Sequence, residues 1–156
     1  MKRLIKDTRG STSLLAAFLA AVLCILAVVV YAGVMVYSNY QTARTDLERA
    51  AIVSIDRNML NQNVRDLEFN IPRDAALADF ENNLALSGLE RGADGTWQRL
   101  NGDKLVYEFW KLNATVRGEW LDVTGVFVMP VPWSFGDMTE VTIPISVRSK
   151  VLYLDL

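Results

Sequence analysis

Ser146, Ser149 and Lys150 have the residue types for nucleophilic chemistry, a serine hydroxyl beside a lysine amine that takes up its proton. They fall in a run that reads as a strand, with no motif around them. Asp137 and Glu140 lie near a turn, where two carboxylates could share general acid–base work. Their bland reading is a solvated surface. The chain has no histidine, and its single cysteine, Cys24, lies inside an apolar run. Ser/His and Cys/His nucleophile systems are therefore absent, and so is the commonest metal ligand. No Gly-rich dinucleotide motif, phosphate-binding loop or calcium loop occurs. Asn113-Ala114-Thr115 matches a glycosylation sequon, a pattern common by chance. The residues predict a protein that is not an enzyme and that takes no cofactor and no metal.

What carries information is the order of apolar and charged residues. Gly10 to Tyr40 contains no charged side chain, and Leu14–Tyr37 is 24 consecutive apolar or small residues. As a helix that stretch spans about 36 Å, enough to cross a hydrocarbon core of about 30 Å with some tilt. Lys2, Arg3, Lys6 and Arg9 precede it and favour a cytoplasmic N-terminus. The expectation is a single-pass protein of the cell membrane, with everything after Tyr40 extracytoplasmic and the lipid bilayer as a partner. A secretory signal also starts with basic residues, but its apolar core runs only about 7–15 residues. Here aliphatic residues continue past the small pair Ala32-Gly33, so a retained helix is expected. The net charge of −2 hides a basic start and an acidic remainder with no basic stripe, which argues against nucleic acid as a partner. Cys24 reads as a small packing residue, and the outer part has no cysteine for an intramolecular disulfide. The segment beyond residue 40, about 115 residues, suits one modest core.

The helix need not stop at the membrane. Gln41 to Phe69 lacks proline and glycine, and Ala43, Leu47, Ala51, Ile55 and Met59 recur every four residues. Arg44, Glu48, Arg49, Asp56 and Arg57 flank that stripe. One helix from about residue 12 to about residue 66 is predicted, with Asn61–Asn63 as the place for a break. Ile71-Pro72 then interrupts the chain. Ala76, Leu77, Phe80 and Leu84 mark a second, short helix over Arg73–Ser87, with Asp74 placed to cap it and Gly88 to end it. After Gly92 the pattern alternates. Asn101-Gly102 predicts a hairpin between Trp97–Leu100 and Lys104–Lys111, with Leu112–Val116 as an extension. Arg117-Gly118 turns the chain into a strand over Trp120–Met129, and Glu140–Ser149 reads as a half-buried antiparallel strand. Pro144 within it points to an edge or a bulge. Pro130–Gly136 is expected to be a loop whose Trp133 and Phe135 either contact a partner or cover the open side of the sheet.

The domain reading is thus a basic leader at 1–10, a transmembrane helix at 11–40, its amphipathic extension at 41–69, and an α+β extracytoplasmic domain at 70–156. The fold class is α+β: a long N-terminal helix, a second short helix and an antiparallel sheet.

The start of the chain allows a further reading. Lys6-Asp7-Thr8-Arg9-Gly10 before Ser11 has the shape of a prepilin leader, in which basic residues and a glycine precede a cut that leaves the apolar helix on the mature protein. The order Arg9-Gly10-Ser11, then a long Ala/Leu/Val helix, then the Ala-rich continuation Thr42-Ala43-Arg44 through Arg49-Ala50-Ala51, resembles TadE-like minor pseudopilins and type IV pilin-like proteins. The resemblance covers the first 60 residues best. It implies processing between Gly10 and Ser11 by a prepilin-type peptidase. It also implies a non-enzymatic role in assembling a Tad or type IV-like pilus or secretion system, with other pilin-like subunits or envelope assembly proteins as partners. The family usually carries a glutamate at the fifth mature position, and this chain has Leu15 there, which points to an accessory subunit rather than the body of a filament. The small residues Ala16, Ala17, Ala20, Ala21, Ala27 and Gly33 would let neighbouring helices approach. The alternative is a single-pass envelope scaffold or binding module that is not processed as a pilin.

Overall fold

The computed structural model describes residues 8–62, 72–118, 120–135 and 138–150, with side chains described over 13–58, 72–118, 120–131 and 139–150. Helix α1 runs from Thr8 to Gln62 without interruption, so the predicted break near Asn61–Asn63 does not occur before Gln62. The predicted continuation to residue 66 lies outside the described residues. The helix is long and apolar enough, by length and composition, to be a membrane-spanning segment. The chain divides into two units, Met1–Tyr37 and Ser38–Leu156, and the division falls inside α1.

In the first unit most described side chains of α1 are uncovered. Every described side chain from Ser13 to Tyr31 is exposed, including Leu14, Leu15, Phe18, Leu19, Leu23, Ile25 and Leu26.

In the second unit the same helix acquires a buried face. Ala43, Leu47, Ala51 and Ile55 are buried, as the four-residue stripe predicts, and Ala50, Ser54 and Asn58 are buried with them. The side chain of Met59 lies outside the described residues. Arg44 and Glu48 form an exposed ion pair one turn apart at 2.9 Å. Helix α2, Arg73–Leu86, buries Ala76, Phe80 and Leu84. Its N-cap is Pro72 rather than Asp74, and no side chain caps it. The Ala76 amide donates to the Pro72 carbonyl at 3.0 Å, so the helix has begun before Asp74 can close it. Asp74 sits in the first turn, where its charge still favours the helix N-terminus. Gly88 follows the helix at φ +84°, the left-handed backbone that glycine adopts at little cost.

Five strands form one antiparallel sheet in sequence order. They are β1 (Leu89–Arg91), β2 (Trp97–Asn101), β3 (Lys104–Arg117), β4 (Trp120–Phe135) and β5 (Met138–Lys150). Strand β1, which the sequence pattern did not suggest, is only three residues long. The β2–β3 hairpin turns on Gly102-Asp103, one residue later than predicted, because Asn101 is already paired with Lys104. Strand β4 does not end at Met129. It continues through Pro130, Pro132, Trp133 and Phe135, and Phe135 pairs with Met138. The predicted loop is therefore the end of a long hairpin, and its prolines are accommodated by a register irregularity between Pro130 and Phe135. Strand β5 is the sheet edge, which tolerates Pro144 opposite Val126.

Side chains alternate across much of the sheet, although Val128 on the other face of β4 is buried as well. Tyr107 and Phe109 of β3, Leu121, Val123, Phe127 and Met129 of β4, and Ile145, Val147 and Ser149 of β5 are buried. The alternation is maintained across a β-bulge in β3. Trp110 pairs with Val126 and Asn113 with Thr124, so Lys111 and Leu112 together oppose Gly125. Lys111 takes the left-handed backbone at φ +51°, and Leu112 lies over Gly125. A side chain at Gly125 would place its Cβ 2.9 Å from Leu112 Cδ1 and 3.3 Å from Leu112 Cα. Gly125→Val is therefore expected to destabilise the second unit by about 1–3 kcal/mol through overpacking. Thermal or denaturant unfolding followed by circular dichroism checks this, and an unchanged midpoint would contradict it.

Candidate functional site

The structure separates the residues for nucleophilic chemistry. Ser149 is buried on the covered face of β5, whereas Ser146 and Lys150 are on the exposed face. Ser146 and Lys150 stand four residues apart along the strand, about 13 Å. A Ser–Lys dyad is thus not assembled. Glu140 is exposed on β5 opposite Pro130, and Asp137 lies outside the described residues. Among the described residues, no group of three or more His, Cys, Asp or Glu could hold a metal ion.

The residues predicted for processing, Gly10 and Ser11, lie in the first turns of α1. Ala16, Ala17, Ala20, Ala21 and Ala27 are exposed along it, and a Cβ at Gly33 would meet nothing within 4 Å. Among the described residues, nothing covers these positions. Trp133 and Phe135 belong to the end of β4, and their side chains lie outside the described residues.

In the second unit, the junction of α1 with the sheet is polar at its centre and aromatic around it. Tyr107 donates its hydroxyl hydrogen to Asp46 Oδ2 at 3.0 Å. The Arg99 guanidinium stands 3.7 Å from the same oxygen, and it also donates to the Ser87 carbonyl at the end of α2. One carboxylate on α1 is thereby tied to β2, to β3 and, through Arg99, to α2. Burial pushes the Tyr107 phenol well above its ordinary range, and the neighbouring Asp46 carboxylate pushes it further. Tyr40 of α1 meets Phe127 edge-on at 5.6 Å between ring centres, and Tyr107, Phe109 and Phe127 form a cluster beside it. Asn39 donates to Met129 Sδ at 3.5 Å. Near the far end of α1, Asn58 donates to Asp79 of α2 at 2.9 Å and to the Ser54 carbonyl at 2.7 Å.

The opposite face of β3–β4–β5 is open, and it escaped the reading of the sequence. Register places Asn113, Thr124 and Ser146 in one row, Thr115, Asp122 and Arg148 in the next, and Arg117, Trp120 and Lys150 in a third. These rows line a shallow depression of about 600 Å³, except that Trp120 and Lys150 stand at its end. Arg148 binds Asp122 through Nε to Oδ1 at 2.5 Å and Nη2 to Oδ2 at 3.3 Å. That hydrogen bond and the carboxylate charge raise the Arg148 pKa. Arg148 and Lys150 also lie over the Trp120 ring at 5.6 and 5.3 Å from its centre. The available signal was the alternation itself, since Trp120, Asp122 and Thr124 of β4 and Ser146, Arg148 and Lys150 of β5 are every second residue. What the sequence could not show is which rows they form.

No protein family, curated protein or solved structure was found to match this chain.

The Asp46–Tyr107 contact makes a pH prediction. A phenol whose folded pKa is raised contributes stability that is fully present below the unfolded value of about 10 and is lost as pH climbs toward the folded value. Tyr107→Phe should cost about 1.5–3 kcal/mol at pH 7, as expected for a hydrogen bond to a charged group. Its stability should then fall less steeply than that of the wild type above pH 10. Parallel alkaline slopes in denaturant titrations would rule out this role for Tyr107.

Proposed function

We propose that the protein is a non-enzymatic, membrane-anchored accessory subunit of pilin or pseudopilin type, acting in assembly of a Tad or type IV-like pilus or secretion system. The N-terminus lies in the cytoplasm, α1 crosses the membrane, and everything after Tyr40 is extracytoplasmic. The observation that carries this reading is α1 itself. A single helix of 55 residues is charge-free from Gly10 to Tyr40 and exposed from Ser13 to Tyr31, then amphipathic and packed against a small antiparallel sheet. Lipid and neighbouring apolar helices are the two surroundings that suit such an exposed stretch, since each satisfies its surface without water.

In this reading the cut after Gly10 frees Ser11, and the Ala16, Ala17, Ala20, Ala21, Ala27 and Gly33 positions admit neighbouring subunits. Leu15 favours an accessory place. A carboxylate there would compensate the N-terminal ammonium of an adjacent subunit in an apolar filament core, and leucine cannot. The same residue favours the second reading, an uncleaved single-pass scaffold or binding module of the envelope.

The mass of the protein from its native membrane separates the two. A chain beginning at Ser11 is expected, and one retaining Met1–Gly10 selects the uncleaved anchor. Replacing Ala20 and Ala21 with leucine should reduce co-purification of partner subunits severalfold, because close helix approach requires small side chains. Undiminished co-purification would remove the helix-packing role.

A further inference from the structure

The open face of β3–β4–β5 has a graded composition. At one side Trp110, 37% exposed, shares a row with Val126 and Pro144. At the other, Trp120, 38% exposed, shares a row with Arg117 and Lys150. Along β4 the two rows are six residues apart, about 20 Å. Between them lies the depression, furnished with the amide of Asn113, the hydroxyls of Thr115, Thr124 and Ser146, and the Asp122–Arg148 pair.

We propose that this face binds an acidic polysaccharide, laid along the strip from Trp110 to Trp120. A sugar ring has a flat C–H face and a rim of hydroxyls, and the strip offers the complement of both. The exposed indole of Trp110 provides a rigid apolar platform at one end, and Trp120, whose ring lies beneath Arg148 and Lys150, marks the cationic end. The amide, hydroxyl and carboxylate groups between them accept and donate in fixed directions.

Charge selects the acidic class. Residues after the first nine carry 12 Lys and Arg against 17 Asp and Glu, a net of −5, yet Arg117, Arg148 and Lys150 gather at one end of this strip. Asp122 lies among them, so among the described residues cations still outnumber acids there. Asp122 occupies the Nε and Nη2 edge of Arg148 and leaves the Nη1 edge for a ligand carboxylate. The ion pair and the Trp120 ring hold that guanidinium in place, so binding need not order it. This inference does not depend on processing or on assembly into a filament.

Calorimetric titration of the full chain in detergent with polygalacturonate, against neutral dextran, tests it. Polygalacturonate is expected to bind at least about tenfold more tightly than dextran. Trp110→Ala and Trp120→Ala should each weaken it by about tenfold, as truncation of an exposed aromatic anchor does. Arg117→Ala should weaken it and flatten its salt dependence. Circular dichroism confirms the fold of each variant, and Trp110→Ala with Arg117→Ala decides the matter if Trp120→Ala unfolds. Absence of polygalacturonate binding, equal affinity for dextran, or unchanged affinity in the variants would overturn the proposal. So would a dimer that dissociates in the tryptophan variants, because a second copy would then be what occupies the face.

Discussion

The carboxylate of Asp46 sits where helix and sheet meet, and it has to be satisfied there. Its side chain is only 18% exposed, and leaving it unpaired would cost several kcal/mol. Tyr107 supplies a hydrogen bond and Arg99 supplies charge. Because Arg99 also reaches the Ser87 carbonyl, the end of α2 is held by the same group of contacts. A slip of α1 by one turn, about 5.4 Å, would take Asp46 away from both partners at once. The apolar stripe of Ala43, Leu47, Ala50, Ala51 and Ile55 supplies burial, which is non-directional, while Asp46 sets the position of the helix along the sheet. No disulfide shares this task, since Cys24 is the chain's one cysteine.

Helix α1 is one element in two surroundings. Its first part exposes leucine, valine and phenylalanine on all sides, whereas its second part has one buried face and one charged face. A helix apolar all round is stable only when something other than water surrounds it. The anchoring and assembly roles proposed for it follow from that requirement. The sheet solves its own exposure differently. Its aromatic face turns to α1 and α2, and its other face carries hydroxyls, amides and ion pairs that tolerate water while remaining open to a ligand.

Legibility in the sequence followed the range of the interactions involved. The stripe of α1, the position of α2 and the alternation of β3 and β5 were readable, because each reflects a short period imposed by local geometry. Pro130–Phe135 was misread as a loop because proline and aromatic residues usually punctuate strands, and here pairing across a long hairpin overrode that tendency. Asp74 was misread as a cap because the Pro72 carbonyl had already started the helix. Strand β1 has three residues, too few to show a period, and forms because β2 is there to pair with it.

The sequence by itself determined that the chain has a charge-free helix able to span a bilayer and an outer part with strand periodicity, since both depend on the order of side chains alone. It also determined which residues of β5, and of β3 up to Trp110, share a face. Tertiary structure alone decided that Asp46 meets Tyr107, 61 positions later, and that Trp110 and Trp120 stand at the two ends of one polar strip. Those placements depend on strand register and on the bulge at Lys111–Leu112, where one extra residue keeps the faces aligned beyond it.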